Sequence, residues 1–245
     1  MKKRKGFFLL FLMLLVMVFA VPAQAAKTKP SSKRQKAIKA YKKYLQKSNI
    51  MIIPKGTKDW QSGKKYKGTK SKNVRFALAD VDNDSFPELF ICDKNKYNNA
   101  LFTYYKGKVK RIGIVAEPVG YYNKKNLFVT SGNVELSDFI YQYSSISSSK
   151  KMKGVLRYTW YDDYDYYDED NEDDDDDDLI QYVEKRTSSD GEPYARIREY
   201  YIWSKDKNVT KNSFNSNLKK ITSGESMTKI ILRKNTKTNR RKYLK

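Results

Sequence analysis

Asp80, Asp82, Asp84 and Glu88 stand at positions 1, 3, 5 and 9 of the stretch Asp80-Val81-Asp82-Asn83-Asp84-Ser85-Phe86-Pro87-Glu88. Unit charges held about 4 Å apart repel by roughly 4 kcal/mol per pair at an effective dielectric near 20. Left alone, such a loop opens or takes up protons. A hard cation turns the repulsion into the loop's main source of order. Calcium takes about six to eight oxygen ligands at roughly 2.3–2.6 Å and tolerates an irregular cage. If the backbone winds tightly, the three aspartates turn inward, and the Phe86 carbonyl and Glu88 carboxylate complete one hemisphere. The expectation is a calcium loop with ligands Asp80, Asp82, Asp84, Phe86 and Glu88. An acidic turn that merely separates two strands is the plainer reading, but it does not need three acids in strict alternation.

The flanks are Phe76-Ala77-Leu78-Ala79 and Leu89-Phe90-Ile91-Cys92, apolar runs short enough to be strands. An EF-hand needs glycine at position 6, glutamate at position 12 and flanking helices. Here those positions are Ser85 and Ile91, so the loop is not an EF-hand. Its spacing instead resembles the strand-loop-strand calcium loops of FG-GAP/VCBS-type β-propeller repeats, with the pattern D-x-D-x-D-G-x-x-D/E followed by an apolar strand. Ser85 and Asn83 stand where that pattern favours glycine. A non-glycine residue in a left-handed conformation costs of order 1 kcal/mol, which weakens binding without abolishing it. The wider order, from a helix through Pro87-Glu88-Leu89-Phe90-Ile91, a Tyr105-Lys106-Gly107-Lys108 hairpin and Tyr121-Tyr122-Asn123-Lys124-Lys125 before Leu127-Phe128-Val129 to a helix after Val209-Thr210-Lys211, is similar to uncharacterised secreted proteins of gut-dwelling Gram-positive bacteria. That resemblance implies an extracellular location and a calcium loop, and brings no activity with it.

The chain contains no histidine, which removes Ser-His and Cys-His nucleophile pairs and histidine metal ligation. No G-x-S-x-G elbow, P-loop or dinucleotide fingerprint occurs. Carboxylate-only chemistry such as glycoside hydrolysis stays open, but its candidates Glu88, Glu117 and Glu135 have no context that favours catalysis. The expectation is a protein that is not an enzyme.

Residues 1–25 read as a secretory signal peptide. Lys2, Lys3, Arg4 and Lys5 precede an apolar run from Phe7 to Ala20, and Ala23-Gln24-Ala25 offers a small-residue cleavage site. The run is short of the roughly 20 residues a membrane span needs. A secreted, extracellular or cell-wall-associated protein is expected. Cys92 is the only cysteine, so no internal disulfide staples the fold, and its apolar surroundings mark it as a small buried hydrophobe.

Residues 26–36 read as a disordered lead-in, 37–235 as a single β-rich domain, and 236–245 as a basic tail. From Lys33 to Lys47, Ala37, Ile38, Ala40, Tyr41, Tyr44 and Leu45 recur at three and four, the spacing of a helix with one apolar stripe. Strands are expected at 74–79, 88–92, 100–105 and 109–115. A second group follows at 126–130, 134–143, 154–160, 179–186 and 194–203, with a break at Ser131-Gly132-Asn133. Thr210 caps a helix to about Ile221. The fold class is α+β, mainly antiparallel β: an N-terminal helix on a meander of about 8–9 strands, forming a sandwich or partial propeller, with a short C-terminal helix.

Charge is strongly segregated. Thirteen of the 28 acidic residues lie between Asp162 and Asp178 in a chain of formal charge +22, and the insertion 161–178 reads as a disordered acidic excursion from a hairpin. Two functions follow. One is a secreted, calcium-stabilised β module that binds a surface, an extracellular glycan or another protein. The other is an electrostatic binder of anionic cell-wall polymer or nucleic acid through the lysine-rich surface.

Overall fold

The computed structural model describes residues 32–58, 63–95, 98–133, 139–163, 181–189 and 193–245. Helix α1 (Ser32–Leu45) is followed by β1 (Asn49–Ile50), paired with β2 (Thr69–Lys70). Then come β3 (Val74–Ala79), β4 (Glu88–Asp93), β5 (Asn99–Tyr105), β6 (Lys108–Ile114), β7 (Glu117–Tyr122), β8 (Leu127–Asn133), β9 (Phe139–Ile146), β10 (Met152–Asp163), β11 (Gln181–Thr187), β12 (Pro193–Ile202) and β13 (Lys207–Asn208). Helix α2 (Lys211–Thr222), β14 (Thr228–Lys229), β15 (Arg233–Lys234) and α3 (Lys237–Tyr243) complete the chain. Two larger sheets form, in the orders β15-β3-β4-β5-β6 and β11-β12-β10-β9-β8-β7-β14, with β13 on β12.

Side-chain parity explains the layers. Phe76, Leu89, Ile91, Ala100 and Phe102 face α1 and meet Ala37, Ile38, Tyr41 and Leu45. Ala77, Phe90 and Leu101, one residue out of phase, point the other way and pack on Phe128 and Ile146 of the second sheet. Leu127 and Val129 leave the far face of β8 toward Leu218 and Ile221 of α2. The result is two antiparallel sheets face to face with a helix on each outer side, a sandwich. Strand β4 is buried at every residue because both its faces are covered, and Cys92 is buried within it.

The Tyr105–Lys108 hairpin closes on a two-residue turn with positive φ at Lys106 (49°) and Gly107 (81°), the handedness that matches strand twist. Thr210 accepts from the Ser213 amide at 3.2 Å as the N-cap of α2.

Several expectations are corrected. The helix expected from Lys33 begins at Ser32, so residues 32–36 belong to α1 and not to the lead-in. Ser131-Gly132-Asn133 is not a break: it extends β8 and pairs with Tyr141, Ile140 and Phe139. Strand β7 is not among the expected strands, and it holds Pro118 and Gly120. Pro118 sits at a register shift, where its missing N–H costs nothing. At Gly120 a Cβ would come within 2.8 Å of the Thr228 carbonyl of β14. Strand β10 runs into the acidic insertion as far as Asp163, and Asp162 takes a two-pronged hydrogen bond from Arg196, at 2.6 and 2.7 Å. The rest of that insertion lies outside the described residues, as do residues 1–25 and Glu135. The basic tail contains α3, capped by Thr236, whose hydroxyl accepts from the Asn239 amide at 3.1 Å, and Leu244 is buried in the layer beneath α1. Among the described residues no helix is long and apolar enough to cross a membrane.

Candidate metal centre

The acidic loop joins β3 to β4 at one end of the first sheet. Two of its residues take left-handed backbone, Asn83 (φ 56°) and Ser85 (φ 69°), the two positions where the resembled pattern favours glycine. The winding is held from within. Asp80 accepts from the amides of Asp84 (3.2 Å) and Ser85 (3.0 Å), and Asp84 accepts from the amide of Phe86 (2.8 Å). These bonds offset the local strain, which asparagine and serine tolerate better than branched residues.

Packing fixes the loop from both sides. Tyr41 of α1 donates its hydroxyl to the Pro87 carbonyl at 3.0 Å. Glu88, the first residue of β4, is fully buried. Its Oε2 accepts from the Val81 amide at 3.3 Å and its Oε1 from the Thr103 hydroxyl of β5 at 3.0 Å. One carboxylate oxygen from each of Asp80, Asp82 and Glu88 lies within 4.8 Å of the others. The side chain of Asp82 is only 7% exposed, and its buried Oδ1 has no hydrogen-bond partner among the described residues. Burying a carboxylate oxygen unpaired is costly. Donors that are all carboxylate oxygens suit hard cations such as calcium and not zinc or copper.

One participant comes from far along the chain. Lys150, in the turn between β9 and β10, reaches into the cage and places its Nζ 2.5 Å from Asp82 Oδ2, 2.6 Å from Asp84 Oδ2 and 3.9 Å from Glu88 Oε1. Of the expected ligands, Asp80, Asp82 and Glu88 are brought together directly, and Asp84 joins them through this ammonium. Lys150, Thr103 and Tyr41 were not expected. Nothing in the sequence separates Lys150 from the other lysines, since its role depends on which strand turn the second sheet lays against the loop.

Burial raises the pKa of Asp80, with the charges of Asp84 and Asp82 adding to it. Burial also raises Asp82, opposed by the Lys150 hydrogen bond and charge. Glu88 is pushed up to about 8, first by burial and then by the charge of Asp82. Burial pulls Lys150 down, but its bonds to Asp82 and Asp84 outweigh this and hold it above the ordinary lysine value. A carboxyl that holds its proton more tightly folded than unfolded penalises the fold when ionised. For Glu88 that penalty is complete above about pH 8 and is lifted as the pH falls toward the ordinary glutamate value. With calcium chelated by EDTA, the melting temperature is expected to rise from pH 9 to pH 6. A profile that falls over that interval contradicts the burial of Glu88.

No family model matches the sequence, and neither a curated protein nor a solved structure matches it.

Proposed function

We propose that the loop 80–88 is a structural calcium site that clamps one end of a secreted, non-enzymatic β module engaged in surface or extracellular binding. The observation that carries this reading is the Asp82 side chain, buried with an Oδ1 that has no hydrogen-bond partner among the described residues, among carboxylates gathered within 4.8 Å. Asp80, Asp82, Asp84, the Phe86 carbonyl and Glu88 would hold the ion. The resemblance to FG-GAP/VCBS loops and the signal-like residues 1–25 support an extracellular setting. Both oxygens of Glu88 are engaged by structural donors, which fits a clamp better than a catalytic acid.

At the affinities usual for extracellular modules, around 10⁻⁴–10⁻³ M, a tenfold excess of calcium adds about 1.4 kcal/mol. In a chain of this size that raises the melting temperature by roughly 3–6 °C. Asp82→Ala is expected to abolish the rise. A melting temperature that neither EDTA nor millimolar calcium moves, with Asp82→Ala equally silent, contradicts the proposal.

A second reading, attachment to an anionic cell-wall polymer or nucleic acid, is favoured by an open groove of about 510 Å³ between α2 and the second sheet, with Arg198, Lys211 and Phe214 in its lining. Three cross-strand tyrosines on its floor lie nearly parallel: Tyr141 and Tyr158 at 11°, Tyr158 and Tyr200 at 18°. Binding of this kind weakens linearly in log–log terms as salt rises, and a salt-independent affinity excludes it.

A further inference from the structure

Resting on the calcium reading above, we propose that Lys150 is a tethered cation that occupies the carboxylate cage and competes with calcium for it, so that an incoming ion must expel the ammonium and thereby releases the β9–β10 turn. The distances carry the argument. Nζ lies 2.5 and 2.6 Å from oxygens of Asp82 and Asp84, the span over which calcium binds its own ligands, about 2.3–2.6 Å. A calcium ion on those same oxygens would stand beside the ammonium with like charge, closer than two cations can be held on shared ligands. Occupancy is therefore exclusive.

The lysine is aimed by its turn. Its backbone takes a left-handed conformation, φ 57°. The turn is bolted by Lys150 N to the Ser147 carbonyl (2.8 Å) and Ser147 N to the Lys151 carbonyl (2.8 Å), with the Lys151 amide on the Ser147 hydroxyl (3.0 Å). Asn126 grips Ile146 just before it through both the amide and the carbonyl, at 2.9 and 2.8 Å. The Lys150 side chain is 11% exposed. Lys151, next in sequence, is exposed. The cage thus has two alternative positive occupants, one built in and one supplied by the medium. The built-in one sets the calcium concentration at which the other takes over, and its release links that concentration to the second sheet.

If the open cage is about one tenth populated, the apparent dissociation constant is raised roughly tenfold. The test titrates calcium chloride into the protein and into Lys150→Met, with Lys151→Met as a control for net charge. Lys150→Met is expected to bind at least tenfold more tightly, and Lys151→Met as the unaltered protein does. Amine acylation of the unaltered protein, read by peptide mass spectrometry, serves if Lys150→Met does not fold: Lys150 is expected to be protected in EDTA and to become at least tenfold more reactive with calcium, while Lys151 changes little. Equal affinities for the protein and Lys150→Met, or acylation of Lys150 unmoved by bound calcium, overturn the competition while leaving the calcium site standing. Binding by Lys150→Met alone supports Lys150 as the occupant and overturns the clamp in the unaltered protein. Binding by neither overturns both.

Discussion

Glu88→Ala lowers the stability by about 2–6 kcal/mol, because the Val81 amide and the Thr103 hydroxyl lose their acceptor in a buried site at roughly 1–3 kcal/mol each. Against a total stability of about 5–15 kcal/mol, that loss can leave the chain partly unfolded at ordinary temperature. Glu88→Gln separates structure from ion binding. It keeps an oxygen for one of those donors, removes the charge that Asp82 and Asp84 oppose, and is expected to fold with a small loss while losing the response to calcium. Denaturant unfolding of the two variants, with and without calcium, checks both statements. A Glu88→Ala chain as stable as the original means that Glu88 is not the buried hub of the loop.

Phe90→Ala has an effect of similar size for a different reason. Phe90 is fully buried between the two sheets and meets Phe128 edge-on, with ring centroids 5.9 Å apart. Truncating a buried phenylalanine costs about 3–5 kcal/mol in lost transfer energy and residual cavity. The position is two residues beyond Glu88, on the same face of β4, so the loss falls on the contact that brings the second sheet, and with it the β9–β10 turn, up to the acidic loop. Phe90→Ala is expected to lower the denaturant midpoint and, by loosening the hold of the Lys150 turn on the cage, to strengthen calcium binding, whereas truncation of a residue on the α1 face such as Leu89 lowers stability without that second effect. Equal calcium affinity in Phe90→Ala would show that the loop does not depend on the second sheet.

The loop and its neighbourhood differ in how much of them the sequence displays. Strand β3, the Tyr105–Lys108 hairpin and the Thr210 cap are set by local chemistry, namely apolar alternation, a glycine with positive φ and a hydroxyl before a helix, and all three occur where those signals stand. The four carboxylates are legible for the same reason, since their spacing is local. What escapes is decided by distant partners. Strand β7 carries Pro118 and Gly120 against its own propensity because β8 and β14 hold it. Ser131-Gly132-Asn133 has turn composition, yet pairing with β9 keeps it extended. Residues after Thr236 look like a loose basic tail, yet Leu244 docks into the α1 layer. Lys150 is the clearest case: 68 residues separate it from Asp82, and its part in the site exists only once the two sheets are face to face.

Calorimetric titration of calcium into the chelator-stripped protein at about pH 8 and physiological salt is the most direct test for calcium in this loop. The predicted result is a single site with a dissociation constant around 10⁻⁴–10⁻³ M, absent in Glu88→Gln. No heat of binding up to calcium concentrations well above that range, in a protein shown to be folded, would contradict it.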